Sequence, residues 1–490
     1  MSRRWRERAA VANKTPPNDG TALGHLSDSD LLKELTRRRM AKGKVDLDAI
    51  ESFAEDTGRE LGEETLAANI EALPPEDSTP KSCPKCGKPV PVKARNRLRR
   101  VMTAAGELRL LRNYHYCRGC KLGFHPRDVE LKLPEKGEVS NAMERRILDF
   151  GVNTGFEEAA ERWSIHYPTP ISSNLVRRVV DRVGRRSEAA HSELTLQQAC
   201  RPTPEEPPKS LVIGGDGSML NTREDGWREA KVAVVAEGED FLDVKKRREV
   251  SQARYVAVLG GQDEFRKSLA AALEAERADE VTKAVWLGDG APENWTMATE
   301  LCPFAIQVLD VMHAVQNAMV CGKALLGEGN PCLPLWEQRI HQLLDAATPD
   351  VAIRELMDCL PHTTTNEEVD GIDRLVGYYR RNDKRMRYAE FREMGLPIGS
   401  GIAESAHKHV LQVRMKQAGQ RWSVQRARRM AHLRALYRTA GPRRFHWAIR
   451  EALTAPPAPV HQLLPNGPRR AKHNYTPSRV SPLNRAAASN

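Results

Sequence analysis

Three patterns of hydrophobic and polar residues follow one another along this chain of 490 residues, and each predicts a different kind of structure. Between residues 139 and 195, apolar residues recur every three or four positions, which is the spacing of amphipathic helices. Between 209 and 310, short β-branched runs end at glycine or charged residues, which is typical of strands. From 311 to about 394 the helical spacing returns without strands. The chain therefore combines helical regions with one region that contains a sheet.

The strand-rich region has a definite order of predicted elements. Three strands come first, and a helix, a fourth strand, a second helix and a fifth strand follow. The segments are SLVIGGDGSML, WREAKVAVVAEG, ARYVAVLG, a helix at 262–279, KAVWLGD, a helix at 293–301 and FAIQVLD. This order predicts a sheet-based α/β domain.

Composition divides the rest of the chain. Residues 1–79 predict a loose start, a helix from near Ser29 and one or two acidic helices that end before Pro74. The run RPTPEEPP at 201–208 contains four prolines and predicts a linker, because proline suits neither a helix interior nor a central strand. The tail at 455–490 is basic and rich in proline, which predicts disorder.

The charges of the chain are segregated, with a formal net charge of +11 and a pI near 9.2. From Asp46 to Asp77 there are 11 acids and one base, whereas from Lys81 to Lys121 there are 12 bases and one acid. This segregation predicts basic faces that meet phosphate, with simple solubility as the alternative explanation. No run of 18 apolar residues is present, and no secretory signal or membrane is expected. Nine cysteines, an odd number, favour a reducing cytoplasm over a disulfide framework.

Four of the cysteines form two CxxC pairs, Cys83 with Cys86 and Cys117 with Cys120, separated by 30 residues. Two such pairs supply the four thiolates of a tetrahedral structural Zn²⁺ site. The segment between them has the pattern of a hairpin, so residues 80–126 predict a zinc ribbon. A redox pair and free thiols are the alternatives. The bases around the pairs predict contact with a DNA backbone.

Two short helices are predicted at 156–164 and 171–184, within the helical region at 139–195. Arg177 and Arg178 would lie on the exposed side of the second helix, as in a helix-turn-helix that reads DNA. The connection SIHYPTP is longer than the usual turn of that motif, so a plain helical hairpin is an equally good interpretation.

Three acids predict a metal site. Asp216 in GGDGS and Asp289 in LGDGAPENW each end an apolar run, and Glu404 in GSGIAESAH begins a helix. Carboxylates supply the oxygen ligands that Mg²⁺ prefers, and two ions about 4 Å apart serve phosphoryl transfer on nucleic acid. Asp-Gly is also a common turn, so either aspartate alone is as well explained by structure. Asp310 competes with Asp289, because it too ends a strand, three residues before His313.

This placement of acids is the RNase H-like arrangement. In it, the first and central strand carries one acid, the fourth strand lies beside it with another, and a helix carries the third. Residues 209–440 would form that domain, with an all-helical insertion at 311–395. The predicted fold class is therefore α+β and multidomain, with a helical N-terminal region, a zinc ribbon and a helical segment before the α/β domain.

The phrases GGDGS, LGDGAPENW, VLDVMHA, PIGSGIAES and RMKQAGQRWS together resemble the DDE transposases of bacterial insertion sequences, in particular the ISKra-type group. The resemblance covers roughly residues 80–440. In the wider Mutator-like set, a C/D-x-x-H motif follows the second aspartate, and Asp310 to His313 matches that motif. The resemblance implies metal ligation by Asp216, Asp289 and Glu404, with Asp310 and His313 close to the site.

The stretch from Ser405 to Arg450 contains 12 bases and no acid, which predicts a surface for the DNA phosphates that lead to the metal ions. The predicted contacts in it are Lys408, Arg414, Lys416, Arg421, Trp422, Arg426, Arg428 and Arg429. Trp422 would stack on a base or wedge against it, whereas the more common alternative is a tryptophan buried in the packing of the helix.

The resemblance implies an enzyme that uses Mg²⁺ or Mn²⁺, binds the inverted repeats of its element, cleaves the strand and transfers it to target DNA. Its partners would be double-stranded DNA and further copies of the chain, since two element ends must be held together. A bacterial cytoplasm, at the nucleoid, is the expected location. The alternatives are a non-catalytic zinc-ribbon DNA-binding protein and an RNase H-like nuclease that acts on RNA–DNA hybrids.

Overall fold

The structure of the protein is a computed structural model that describes residues 27, 29–31, 33–34, 46–134, 138–167, 169–238, 252–346 and 348–454. The tail predicted at 455–490 lies outside these residues, as does most of the segment before residue 46. The chain divides into two compact units, Met1–Glu138 and Val139–Asn490. No helix among the described residues is long and apolar enough to cross a membrane.

The first unit joins one long helix to two small antiparallel sheets. Its elements are α1 (Leu47–Glu71), β1 (Lys81–Ser82), β2 (Pro89–Val90), β3 (Val92–Thr103), β4 (Gly106–Cys117), β5 (Leu122–Phe124) and α2 (Pro126–Glu130). Asp46 begins α1 by accepting a hydrogen bond from the amide of Ala49, so the acidic stretch forms one helix. Strands β3 and β4 form the expected hairpin, in which Thr103 pairs with Gly106 across the turn. Both CxxC pairs lie at the open end of the hairpin, one before β3 and the other from the last residue of β4 onward.

The second unit is built on a five-stranded sheet. Its strands are β6 (Ser210–Thr222), β7 (Gly226–Glu237), β8 (Ala253–Val258), β9 (Lys283–Gly288) and β10 (Ile306–Leu309). The spatial order is β10-β9-β6-β7-β8, with β6, β7 and β8 antiparallel and β9 and β10 parallel to β6. The first strand is therefore central and the fourth lies beside it, and the mixed α/β class is confirmed.

Helices surround this sheet. Those before and between the strands are α3 (Asn141–Asn153), α4 (Phe156–His166), α5 (Ser173–Glu188), α6 (Glu193–Cys200), α7 (Gln262–Ala275) and α8 (Pro292–Leu301). Those after β10 are α9 (Val311–Leu326), α10 (Leu333–Ala346), α11 (Pro349–Cys359), α12 (Asn366–Asn382), α13 (Tyr388–Glu393), α14 (Gly401–His407), α15 (Val413–Met415) and α16 (Val424–Thr454). A single π-helical segment, Lys408–Gln412, joins α14 to α15.

The region at 139–195 belongs to the same compact unit as the sheet, because α5 and α6 pack against α16, which also packs against β8. The interpretation of this region as a helix-turn-helix that reads DNA stays a prediction. Within it, Ser172 caps α5 as expected, and Val176, Val179 and Val183 are buried.

The proline-rich run at 201–208 is also fixed to the unit rather than free. Arg254, which is fully buried, donates hydrogen bonds to the carbonyl oxygens of Arg201 and Pro202. Arg277 binds the carbonyl oxygens of Pro204 and Glu205 in the same way. The prolines exclude regular structure here, as predicted, but two arginines from the sheet region hold the segment in place.

Candidate active site

Asp216 lies on β6, and Asp289 directly follows the neighbouring strand β9. The parallel register of β6 and β9 ends with Gly214 opposite Leu287, and each aspartate stands two residues further along the chain. Strand β6 continues past this point, whereas β9 ends at Gly288. Both aspartates are half-buried and line one cavity of about 340 Å³, together with Lys231 and Asn294. The sheet therefore brings these two predicted residues to one place.

The loop after β9 fixes one oxygen of Asp289. Its Oδ1 accepts hydrogen bonds from the amide of Ala291 at 3.0 Å and from Nδ2 of Asn294 at 2.7 Å. Gly290 has φ +96, and a Cβ there would lie 2.5 Å from the hydroxyl of Tyr378, so glycine is required. No partner of Oδ2 is found among the described residues. The turn accounts for the Asp-Gly sequence, and it leaves Oδ2 of Asp289 available to another ligand.

Asp310 has no such open oxygen. It is fully buried, and its Oδ2 contacts Nδ1 of His313 at 2.8 Å and accepts from the hydroxyl of Ser400 at 2.5 Å. Its Oδ1 accepts from the amide of Met312 and caps α9. Burial favours the neutral acid, but these hydrogen bonds outweigh it and lower the pKa of Asp310. Asp310 therefore orients His313 and Ser400.

His313 is held beside the acids by this contact. The hydrogen bond to Asp310 raises the pKa of His313 against the effect of burial, and the charges of Asp310, Asp289 and Asp216 act in the same direction. Its side chain is 34% exposed, so the ring is still open to a ligand. The contact with Asp310 thus favours the charged form of an imidazole on which the charges of Asp289 and Asp216 also act.

Glu404 lies on α14, which packs against β6 and β7. A Cβ at Gly214 would lie 3.3 Å from Ala403, so the helix approaches β6 on the face that Asp216 shares with Gly214. The side chain of Glu404 is exposed, and it has no hydrogen bond or ion pair among the described residues. It does not line the cavity of Asp216 and Asp289. The structure therefore gathers two of the three acids in one cavity and places the third on the adjacent helix.

The four cysteines of the first unit form a compact cluster. Among the described residues, Cys83, Cys86, Cys117 and Cys120 are the one group of three or more Cys, His, Asp or Glu whose ligand atoms all lie within 4.8 Å of one another. The Sγ atoms of Cys86 and Cys117 are 3.8 Å apart, which is the edge of a tetrahedron with Zn–S bonds of about 2.3 Å. The donor set and its geometry fit Zn²⁺, and no free coordination position remains for catalysis.

Residues 84–451 match the profile of the Uncharacterised protein family (UPF0236). The chain belongs to this family. None of the curated proteins matches the sequence. A Drosophila P element transposase strand transfer complex is similar at 9% identity with a TM-score of 0.26, over 67% of this chain and 94% of that one. The match to the UPF0236 family includes three of the four cysteines of the cluster and all the acids described above, and the ISKra-type group is not distinguished by it.

In this UPF0236 chain, two of the residues predicted to contact DNA are buried. Arg414 is 1% exposed, lies over the rings of Phe156 and Trp422, and donates to the carbonyl of Gly151. Trp422 is 6% exposed and donates from Nε1 to the carbonyl of Met415. DNA contact stays a prediction for both, and neither side chain is open to a ligand in this structure. The burial of Trp422 agrees with the alternative of a packing tryptophan.

Three further arginines of the predicted surface are paired with acids from other elements. Arg429 is 8% exposed and binds both oxygens of Glu188, which excludes it from a DNA surface. Arg426 contacts Asp181, and Arg428 contacts Glu264. Of the remaining predicted contacts, Arg177 is half-buried, and four are exposed: Arg178, Lys408, Lys416 and Arg421.

Three residues that interact with the acids were not predicted from the sequence. Tyr378 donates its hydroxyl to the carbonyl of Asp289 at 3.2 Å, and Ser400 donates to Asp310. His407 is 6% exposed, and its Nε2 has no hydrogen-bond partner within the described ranges of the chain. Burial lowers the pKa of His407, while the charge of Asp216 acts in the opposite direction. Only His407 had a signal in the sequence, since it lies one helical turn after Glu404.

Proposed function

We propose that this protein is a DDE transposase of the ISKra-type group that cleaves DNA at the ends of its element and transfers the freed strand. The observation that carries the proposal is the pair Asp216, on β6, and Asp289, just after the adjacent parallel strand β9, which line one cavity. The strand order supports it, because the central first strand and the neighbouring fourth strand carry the first two acids, as an RNase H-like domain requires.

A pair of divalent cations, rather than a single one, is the proposed occupant of the carboxylate site. Asp216, Asp289 and Glu404 are not among the ligand groups that gather within 4.8 Å in the described part of the chain. Two ions about 4 Å apart, each about 2 Å from its ligands, span roughly 8 Å between the outer oxygens. Bound there, Mg²⁺ or Mn²⁺ would supply charge stabilisation at the attacking and leaving oxygens. Glu404 would close the site from α14.

The residues around these acids have distinct tasks in this proposal. Asp310 holds the ring of His313 through Nδ1, so Nε2 is the nitrogen available to a phosphate oxygen. Asn294 and the amide of Ala291 keep one oxygen of Asp289 in place, so the carboxylate is oriented before any ligand arrives. The cysteine cluster would hold Zn²⁺ and stabilise the hairpin of the first unit.

DNA is the proposed substrate, and further copies of the chain are the proposed partners. Holding two element ends at once requires at least two active sites, which is the reason to expect an oligomer. A bacterial cytoplasm, where DNA and a reduced cysteine cluster occur together, is the proposed location.

The test is strand cleavage with Asp289→Asn. The substrate is a duplex with the inverted repeats that flank the gene, in Mg²⁺ and separately in Mn²⁺. We expect the cleavage rate to fall about a thousandfold or more, because a metal ligand contributes several kcal/mol to the transition state. DNA binding should persist. Asp263→Asn, at the exposed start of α7, is the matched control and should cleave normally.

Cleavage by the Asp289→Asn protein at the normal rate would show that Asp289 is not a metal ligand of the site. Metal-independent binding with no cleavage by the unmodified protein would instead favour a non-catalytic DNA-binding protein.

A further inference from the structure

A second cavity lies at the other end of β10, outside the carboxylate site. Its volume is about 550 Å³, and its walls are the segment 303–307 and the end of α12. Four cations of α12 and the turn after it line the cavity: Arg380, Arg381, Lys384 and Arg385. The first three are exposed and Arg385 is half-buried, so the wall is open to solvent and strongly positive.

These cations are not neutralised within the protein. None of the four makes an ion pair with a carboxylate in the part of the chain that the structure describes. The single acid in the lining is Asp383, and Arg387 lies 3.8 Å from it. The wall thus has four cations and one acid, and that acid is already close to Arg387. The resulting positive field favours an anionic ligand.

One cation of the wall is held in place before any ligand binds. Arg385 donates from Nε to the side-chain oxygen of Gln307 at 2.8 Å, and its guanidinium lies 4.4 Å from the ring of Trp295. Burial lowers the pKa of Arg385, which is a cost that a bound anion would relieve. An arginine fixed by a stacking contact and a hydrogen bond loses little entropy on binding, which is the usual setting for phosphate recognition.

Helix α12 links the cavity to the candidate active site. Tyr378 donates its hydroxyl to the carbonyl of Asp289, and Arg381 follows within one helical turn, with its guanidinium 3.3 Å from a Cβ built on Gly377. Strand β10 spans Ile306–Leu309, with the cavity at its start and Asp310 after its end. Four residues of strand cover about 13 Å, which corresponds to about four nucleotides along one DNA strand.

We propose that this cationic cavity binds backbone phosphates of the DNA strand on which the carboxylate site acts, a few nucleotides from the scissile bond. The helical insertion would then hold the substrate through the end of α12, and the predicted surface on α16 would contribute less. This inference rests on the proposed function, because the position of the cavity has meaning only relative to Asp216 and Asp289.

The test is the salt dependence of DNA binding by the full chain in buffer without Mg²⁺, Mn²⁺ or a chelator, where no cleavage occurs and the cysteine cluster keeps its metal. The variant is Arg380→Gln/Arg381→Gln/Lys384→Gln, which removes three exposed cations and leaves Arg385 on Trp295. Its matched control is Lys323→Gln/Arg339→Gln/Arg392→Gln, which removes three cations of the same insertion that are paired with Glu328, Glu355 and Asp345. Both variants have the same net charge, and thermal unfolding confirms that both are folded.

Fluorescence anisotropy with a labelled duplex is expected to show at least about a tenfold loss of affinity for the cavity variant. The slope of log K against log salt should fall in magnitude by about two to three, because each lost phosphate contact removes about 0.9. The control should keep the slope of the unmodified protein. Equal slopes for the two variants overturn the inference.

The two proposals fail in different ways. If the cavity variant binds like the control while Asp289→Asn abolishes cleavage, the phosphate cavity is wrong and the transposase proposal stands. If the unmodified protein binds no duplex DNA, or binds only an RNA duplex of equal length, both are overturned.

Discussion

Two arginine-rich segments of the second unit differ in what surrounds them. At the start of α16, Arg426, Arg428 and Arg429 each contact an acid. At the end of α12, Arg380, Arg381, Lys384 and Arg385 contact no acid among the described residues. By sequence the first segment is the better candidate for DNA, since no acid occurs from Ser405 to Arg450. In the structure the second segment has the uncompensated charge.

The difference arises because the acids come from distant parts of the chain. Asp181 and Glu188 of α5 and Glu264 of α7 are 164 to 245 residues away from the arginines that they contact. Arginines that are paired and buried contribute to stability, whereas unpaired and exposed arginines are available to a ligand. Local charge therefore indicates a DNA surface only after the fold has assigned each base its partner.

The largest expected effect is on stability, and it concerns Glu144, a buried acid on α3 that pairs with arginines of α5. It contacts Arg182 and Arg186 of α5 and His446 of α16, and it is fully buried. Glu144→Gln should lower the free energy of unfolding at pH 7 by about 3 kcal/mol, because it leaves two guanidinium groups without their carboxylate. Urea denaturation measures this loss, while the salt slope of DNA binding should not change.

The same residue predicts a pH dependence. Burial opposes ionisation of Glu144, but the hydrogen bond from His446 and the charges of Arg186 and Arg182 outweigh it and lower its pKa from 4.5 to about 2. A lowered pKa contributes stability above pH 4.5, and this contribution is lost as the pH falls towards 2. The stability gap between the unmodified protein and Glu144→Gln should therefore narrow at pH 3, and a constant gap would contradict the assignment.

A smaller effect compares one arginine from each segment. Arg429→Met should cost about 1 to 2 kcal/mol of unfolding free energy, because it removes a bidentate contact with Glu188, whose side chain is 39% exposed. Arg381→Met should change stability by less than about 0.5 kcal/mol. DNA affinity should respond in the opposite way, with a loss only for Arg381→Met. Equal losses of DNA affinity in both variants would contradict the proposed difference between the two segments.

The sequence predicted the strands of the sheet and the end of β9 that Asp289 follows, because a β-branched run that ends in Asp-Gly is a local signal. Asp216 instead lies within β6, which continues to Thr222 in its pairing with β7. The sequence left open whether Asp289 or Asp310 faces the site. That choice depends on burial and on the hydrogen bond from Ser400, which follows 90 residues later. No local pattern contains this information.

The burial of some of the basic residues was not visible in the sequence for a related reason. In the sequence, Arg414 and Lys416 are both bases of the acid-free stretch. In the structure, the guanidinium of Arg414 lies over the rings of Phe156 and Trp422. A cation buried between aromatic rings depends on contacts from α4 that spacing alone does not reveal. The cationic cavity was also missed, because its bases occur in a helical region with acids near them in sequence.

The most direct test of the central claim is to replace Mg²⁺ with Fe²⁺ and map where the protein is cut by the hydroxyl radicals that bound iron generates. The account predicts backbone cuts within a few residues of Asp216, Asp289 and Glu404, with protection by excess Mg²⁺ and loss of all three in Asp216→Asn. Cuts near only one of these residues, or cuts confined to the cysteine cluster, would contradict a metal site shared by the three acids.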